Sequence, residues 1–192
     1  MINSFGHQTI EKTSESITDR TKKGPVKSLM VTRSGKLRKQ PPFAGEGFYF
    51  WEDNIDAAEW WGDVHYKKYG NEYRIFRIDL SFKYDDNTFL DLIGNRQHLR
   101  FIEKLINKTK KNIDCNGWKL HNYVNYFRLQ ESKHNGMFPY KMIRFNDCQL
   151  NPRIQNQLQL NDYQSVSLMN PFYIVCVFEL EILELDTFIF IK

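Results

Sequence analysis

The chain has 192 residues, of which 41% are hydrophobic types and 26% charged, and its formal net charge is +4. That length suits one domain, or one domain with an elaborated edge, and the apolar share is enough for a sizeable core. The longest apolar stretches fall far short of the roughly 20 residues that span a bilayer, so no transmembrane helix and no membrane partner are expected.

The opening MINSFGHQTIEK has no basic n-region followed by an apolar h-region, and a cytoplasmic protein is expected. Residues 11–20 suit a short helix. Residues 21–46, with Gly24, Pro25, Gly35, Pro41, Pro42, Gly45 and Gly47 in or just after them, read as mostly loop. The aromatic run from Gly47 to Trp51 reads as a strand. Asp53 or Asn54 can cap a helix that ends at Gly62. Residues 72–83 alternate apolar and polar as a half-buried strand does. Leu99, Ile102, Leu105 and Ile106 share one face of a helix over 96–111, whose basic end suits the C-terminal dipole. Residues 112–138 are polar and aromatic without a clear period and read as an insertion or loop-rich segment. Strands are predicted over 140–146 and 163–169. Residues 173–191 read as a long strand-like run, broken near Leu183 where the alternation slips. Residues 1–192 thus form a single α+β domain around a mostly antiparallel sheet.

Cys115, Cys148 and Cys176 are odd in number and match no zinc spacing, which suggests reduced thiols. His65, His98, His121 and His134 show no metal spacing either, and no metal is expected. Charge is uneven. Arg20 to Lys39 holds eight Lys or Arg and no acid, whereas ELEILELD near the other end holds Glu179, Glu181, Glu184 and Asp186. A basic segment can face the phosphates of a nucleotide or a nucleic acid, or be a solvated loop.

The segment GEGFYFWEDNIDAAEWWG, residues 45–62, resembles the Gly-x-Gly-x-Tyr-Phe segment of ADP-ribosyltransferases of the diphtheria-toxin and poly(ADP-ribose)-polymerase type. The resemblance implies a split antiparallel β-sheet core with flanking helices, and NAD as substrate. Tyr49 and Trp60 would sandwich the nicotinamide ring. Ala57 falls where many relatives carry a serine that bonds the nicotinamide amide, and Gly47 belongs to the cofactor-binding segment. In FGHQT, residues 5–9, His7 stands where the family's histidine bonds the ribose hydroxyl. Gln8 replaces the usual glycine, and Thr9 fits the run that follows. The third motif part is an acidic residue, or a substitute such as glutamine, entering a late strand. Gln164 takes that place, and the resemblance implies His7, Tyr49 and Gln164 as the catalytic set. A second alignment matches Tyr173-Ile174-Val175 to the strand after the acidic residue. It puts Phe172 or Pro171 in the acidic position, which implies a disabled site.

Such residues suit the chemistry. Cleaving nicotinamide from NAD moves positive charge onto the ribose. The protein must hold a cationic ring between aromatic faces and set a polar oxygen beside the ribose. A glutamine there implies transfer of one unit rather than chain elongation. The expectation is a mono-ADP-ribosyltransferase acting as an intracellular toxin or phage-defence effector. Its expected partners are NAD, a macromolecular acceptor (protein, DNA or RNA) and, as a further candidate, a neutralising antitoxin. The alternative is a catalytically degenerate module of the same fold that binds nucleic acid or a protein. It would use residues 20–39 and the aromatics of GWKLHNYVNYFR, residues 117–128, to meet phosphates and stack bases. A structural interaction domain is the third possibility. Assay of nicotinamide release from NAD separates the first from the other two.

Overall fold

Strand β1, Ile2–Glu11, pairs antiparallel along its whole length with β4, Tyr73–Phe82, and at Gly6 and His7 with β3, Gly47–Glu52. The computed structural model describes residues 2–32, 34–82, 87–146, 155–161, 164–169 and 172–192. Strands β2 (Lys27–Ser28), β5 (Phe89–Asp91), β6 (Met142–Asn146), β9 (Tyr173–Val177) and β10 (Ile189–Phe190) complete one eight-stranded sheet. Its order is β10-β4-β1-β3-β9-β6-β5, with β2 added on β3. Among the described residues every pairing in it is antiparallel except β5 with β6. Strands β7 (Gln155–Asn161) and β8 (Gln164–Met169) form a separate antiparallel pair. The expected α+β fold with a mostly antiparallel sheet is what the chain adopts.

Period-two alternation divides the core into two clusters, one on each face of the sheet. Phe48 and Phe50 of β3, Phe76, Ile78 and Leu80 of β4, and Val175 and Val177 of β9 share one face with Phe188. Trp51, Ile75, Ile174 and Cys176 point the other way and meet the helices. There Ala57 and Ala58 of α2 (Ile55–His65), Ile102 of α3 (Arg96–Asn112) and Tyr123, Val124 and Phe127 of α4 (Leu120–Glu131) close the layer. The first helix, α1, spans Ile17–Lys23, later than residues 11–20, because Glu11 is still paired in β1.

Two expectations change. The segment 112–138 holds the 12-residue helix α4. Its buried residues, Tyr123, Val124 and Phe127, are spaced by one and three, too few to stand out as a period in the sequence. The run 173–191 is not one strand. It leaves β9 at Val177, makes 3-10 turns at Leu180–Ile182 and Leu185–Thr187, and re-enters the sheet as β10 on β4. Strand β10 lies four positions from β9, about 19 Å at about 4.8 Å per strand. The chain therefore has to cross a sheet face, and Leu180, Ile182 and Leu183 pack against that face on the way.

The turn between β3 and α2 sets the candidate site. Asp53 has a positive φ of 47°, a conformation that Asp tolerates better than most residues. It is clamped to β1: its backbone N–H donates to the Phe5 carbonyl at 2.8 Å, and its Oδ1 accepts from Phe5 N–H at 2.7 Å. Asn54, one of the two predicted caps, accepts from Ala57 N–H at 2.8 Å, and α2 runs past Gly62 to His65. Gly62 lies inside the helix because a Cβ there would sit 2.5 Å from the Tyr73 ring.

Candidate functional site

His7 and Trp51 are direct cross-strand partners, so their side chains share the helix-covered face of the sheet. Trp51 is buried, and its ring centroid lies 6.4 Å from Trp60, 5.8 Å from Trp61 and 5.7 Å from Phe172. Phe172 in turn lies 5.5 Å from Trp60 with the planes inclined by 35°. The site is thus an aromatic cluster built from β3, α2 and the residue that leads into β9.

The His7 ring is buried, and its Nδ1 has no hydrogen-bond partner among the described residues. Burial is the main cause that pushes its pKa below the ordinary histidine value, with Arg77 acting in the same direction. The Trp51 backbone and the charge of Asp53 oppose the shift. Neutral imidazole is therefore the form present at pH 7.

Gln8 and Thr9 have structural partners. The Gln8 side chain points to the opposite face. There its Nε2 donates to the carbonyls of Val26 (2.9 Å) and Tyr49 (3.3 Å), while its Oε1 accepts from Val26 N–H at 2.7 Å. It ties the loop after α1 to the sheet where a glycine would leave open backbone. Thr9 Oγ1 donates to the Ala58 carbonyl at 2.6 Å and pins α2 onto β1.

Tyr49 lies on the same face as Trp51, with its hydroxyl donating to the Gly45 carbonyl at 2.5 Å and accepting from Ala44 N–H at 2.9 Å. Its phenol is pushed far above the usual tyrosine range, first by burial and then by the neighbouring Cys176. Burial likewise raises the Cys176 thiol to about 12. Gly47 is packed under β9, where a Cβ would meet Cys176 Sγ at 2.5 Å and the Val177 carbonyl at 2.9 Å. Ala57 is fully buried in the first turn of α2.

Of the residues picked from sequence, His7, Tyr49, Ala57 and Trp60 gather on one face of the sheet. Tyr49 and Trp60 make no ring contact with one another; the rings beside Trp60 are Trp51, Trp61 and Phe172. Gln164 opens β8 and pairs with Asn161 in the separate two-stranded sheet. Phe172, the residue of the second alignment, is the one that reaches Trp51 and Trp60. Pro171 lies outside the described residues. As packed, Phe172 lies tilted against Trp60 and the Tyr49 hydroxyl is bonded to the backbone of residues 44 and 45, so a nicotinamide ring held flat between Tyr49 and Trp60 would need these side chains to rearrange.

The proposed nucleic-acid elements fare differently from one another. Trp118, Tyr123, Tyr126 and Phe127 pack among themselves at 5.1–6.1 Å; Tyr123 and Phe127 are buried in the core, and Trp118 and Tyr126 are half-buried against it. In the basic segment, Arg20 and Lys23 are paired with Glu15, whereas Lys22, Lys27, Lys36, Arg38 and Lys39 are exposed.

One charged cluster was not anticipated. On the face away from the helices, Arg144 Nε reaches Glu52 Oε2 at 2.6 Å and its Nη1 lies 3.7 Å from Asp91 Oδ2, with both carboxylates buried. Burial raises the Glu52 pKa against the lowering effect of Arg144. Nothing in the spacing of residues 52, 91 and 144 signals this, because three separate strands bring them together.

Comparison with protein-family models, curated proteins and solved structures finds no match to this chain.

Proposed function

We propose that the chain is a catalytically degenerate ADP-ribosyltransferase-like module that works by binding nucleic acid rather than by turning over NAD. One observation carries this reading. The residue leading into β9 beside the Tyr49 strand is Phe172, and its ring packs against Trp51 and Trp60. Under the second alignment that is the place of the acidic group which would stabilise a cationic ribose, and an apolar ring offers no such charge. Gln8 adds support, because its side chain is committed to Val26 and Tyr49. The nucleic-acid half of the proposal rests on the chain's net positive charge and on the exposed cations of residues 20–39.

Incubation with NAD and assay of free nicotinamide is the test. Release at the level of a protein-free control is expected. Turnover that is lost in Tyr49→Ala would overturn the reading.

A second reading retains the enzyme: a mono-ADP-ribosyltransferase using NAD, with Gln164 as third motif residue and a toxin or defence role. The unpartnered Nδ1 of buried His7 favours it, since a ribose hydroxyl is a suitable partner for that atom. The same assay with Gln164→Ala separates the two. In an active enzyme that change should lower the rate by about 10²–10³.

A further inference from the structure

Helix α3 carries six basic residues, Arg96, Arg100, Lys104, Lys108, Lys110 and Lys111, against one acid, Glu103. Its balance is +5 in a chain whose total is +4, so everything outside the helix sums to −1. Arg96, Arg100, Lys104, Lys108 and Lys111 are all exposed and follow one another at three- and four-residue steps. On a helix that spacing makes a single row, confined to an arc of about 120° and about 22 Å long. The opposite side, with Ile102 and Thr109, is buried.

Stability alone does not favour such a row. Like charges four residues apart repel by about 0.2–0.5 kcal/mol per pair. Arg96 also stands at the positive end of the helix dipole. Among the described residues, none of the six cations has a carboxylate within ion-pair range. The first turn of the helix is nevertheless anchored. Asn95 caps its first turn by accepting from Gln97 and His98 N–H, and His98 Nδ1 accepts from Asp91 N–H of β5 at 2.9 Å.

We propose that this face of α3 docks on the phosphate backbone of a double-stranded nucleic acid. A duplex presents one negative charge per about 1.7 Å of its axis, so a 22 Å row meets on the order of a dozen charges. Two other polyanions fit less well. A lipid surface needs an apolar face to insert, whereas Ile102 is buried, Phe101, Leu105 and Ile106 are half-buried against the core, and Leu99 is the one exposed large apolar residue of the helix. A single strand is held by stacking on exposed aromatic rings, and the row has none. The nearest rings, Phe101 and Tyr140, pack edge-on against each other at 5.6 Å. The inference gives the binding-module reading its surface, but it does not depend on the aromatic cluster. NAD turnover would overturn that reading and leave this one standing.

The experiment uses the full chain and a fluorescein-labelled 20-base-pair DNA of mixed sequence, with anisotropy measured from low to moderate salt. Binding is expected, with log K falling linearly with log salt. Arg100→Gln/Lys104→Gln/Lys108→Gln should weaken it at least tenfold near 0.1 M salt and reduce the salt slope by about 2.7, at about 0.9 per lost phosphate contact. The melting temperature of that variant should hold or rise, since repulsion is relieved. Lys36→Gln/Arg38→Gln/Lys39→Gln, in the basic loop, should weaken binding by a smaller factor than the helix variant does. Absence of duplex binding at low salt would overturn the proposal. So would a loss confined to the loop variant, tighter binding to a single strand of the same length, or equal retention on vesicles containing phosphatidylserine.

Discussion

Phe172 and Trp60 come from segments more than 100 residues apart, yet their rings lie 5.5 Å apart at 35°. With Trp51 of β3, which lies between β1 and β9, they form the aromatic cluster under α2. Phe172→Ala should therefore act on stability and not on chemistry. Removal of a buried phenylalanine costs about 3–5 kcal/mol. Urea denaturation measures this, and nicotinamide release should stay at background. A variant of unchanged stability that begins to cleave NAD would show Phe172 to be a plug over a competent site.

The Tyr49 hydroxyl joins the backbone of Ala44 and Gly45 to the sheet. Tyr49→Phe leaves that donor and that acceptor without a partner at about 1–3 kcal/mol. The phenylalanine ring itself still fits. The expected result is a lower melting temperature with the native circular dichroism spectrum retained. Equal stability would mean that water reaches residues 44 and 45.

Arg144 sets one positive charge between two buried carboxyl groups. Arg144→Met should destabilise by about 3–5 kcal/mol, because Glu52 and Asp91 are then left without a cation. Glu52→Gln on that background removes one buried charge and should recover part of the loss. Chemical denaturation of the unsubstituted chain, the two single variants and the double variant decides this. Additive losses would show that Glu52 and Arg144 are not coupled.

Acid should weaken the fold. His7, His65, His98 and His121 all have pKa values below the ordinary 6.5, with burial the largest cause for each. Between the folded-state values and 6.5 the unfolded chain binds protons that the folded chain does not. Stability then falls as pH drops through that window, by at most about 1.4 kcal/mol per pH unit for each proton, and these groups have no effect well above it. His98 has a specific reason, since its Nδ1 accepts from Asp91 N–H and protonation removes the acceptor. His98→Asn keeps an acceptor without a titrating group. Its melting temperature should fall less steeply from pH 7.5 to 5 than that of the unsubstituted chain, and an identical slope would assign the effect to the other histidines.

What could be read along the chain was whatever depends on neighbouring residues. The β3 strand, the Asn54 cap, the alternation of β4 and the apolar face of α3 are local patterns, and the structure has them, except that Leu99 of the α3 face is exposed. The Arg and Lys period of α3, of which only the basic end was noted, is local as well. The path of residues 178–188 was not local. A strand-like run bends there because its last strand pairs with β4, across the sheet from β9. The partners of Trp60 were not local either. Sequence alone offered Tyr49 and a choice between Gln164 and Phe172. Sheet order brings Phe172 to Trp60, since β9 lies against β3 while, among the described residues, β8 pairs only with β7. Gln8 shows the same division. Its identity marked a departure from the resembling motif, but only the approach of Val26 and Tyr49 gave its amide three backbone partners. Residue types set which local elements and charges exist; strand pairing between distant segments decided which rings fill the site.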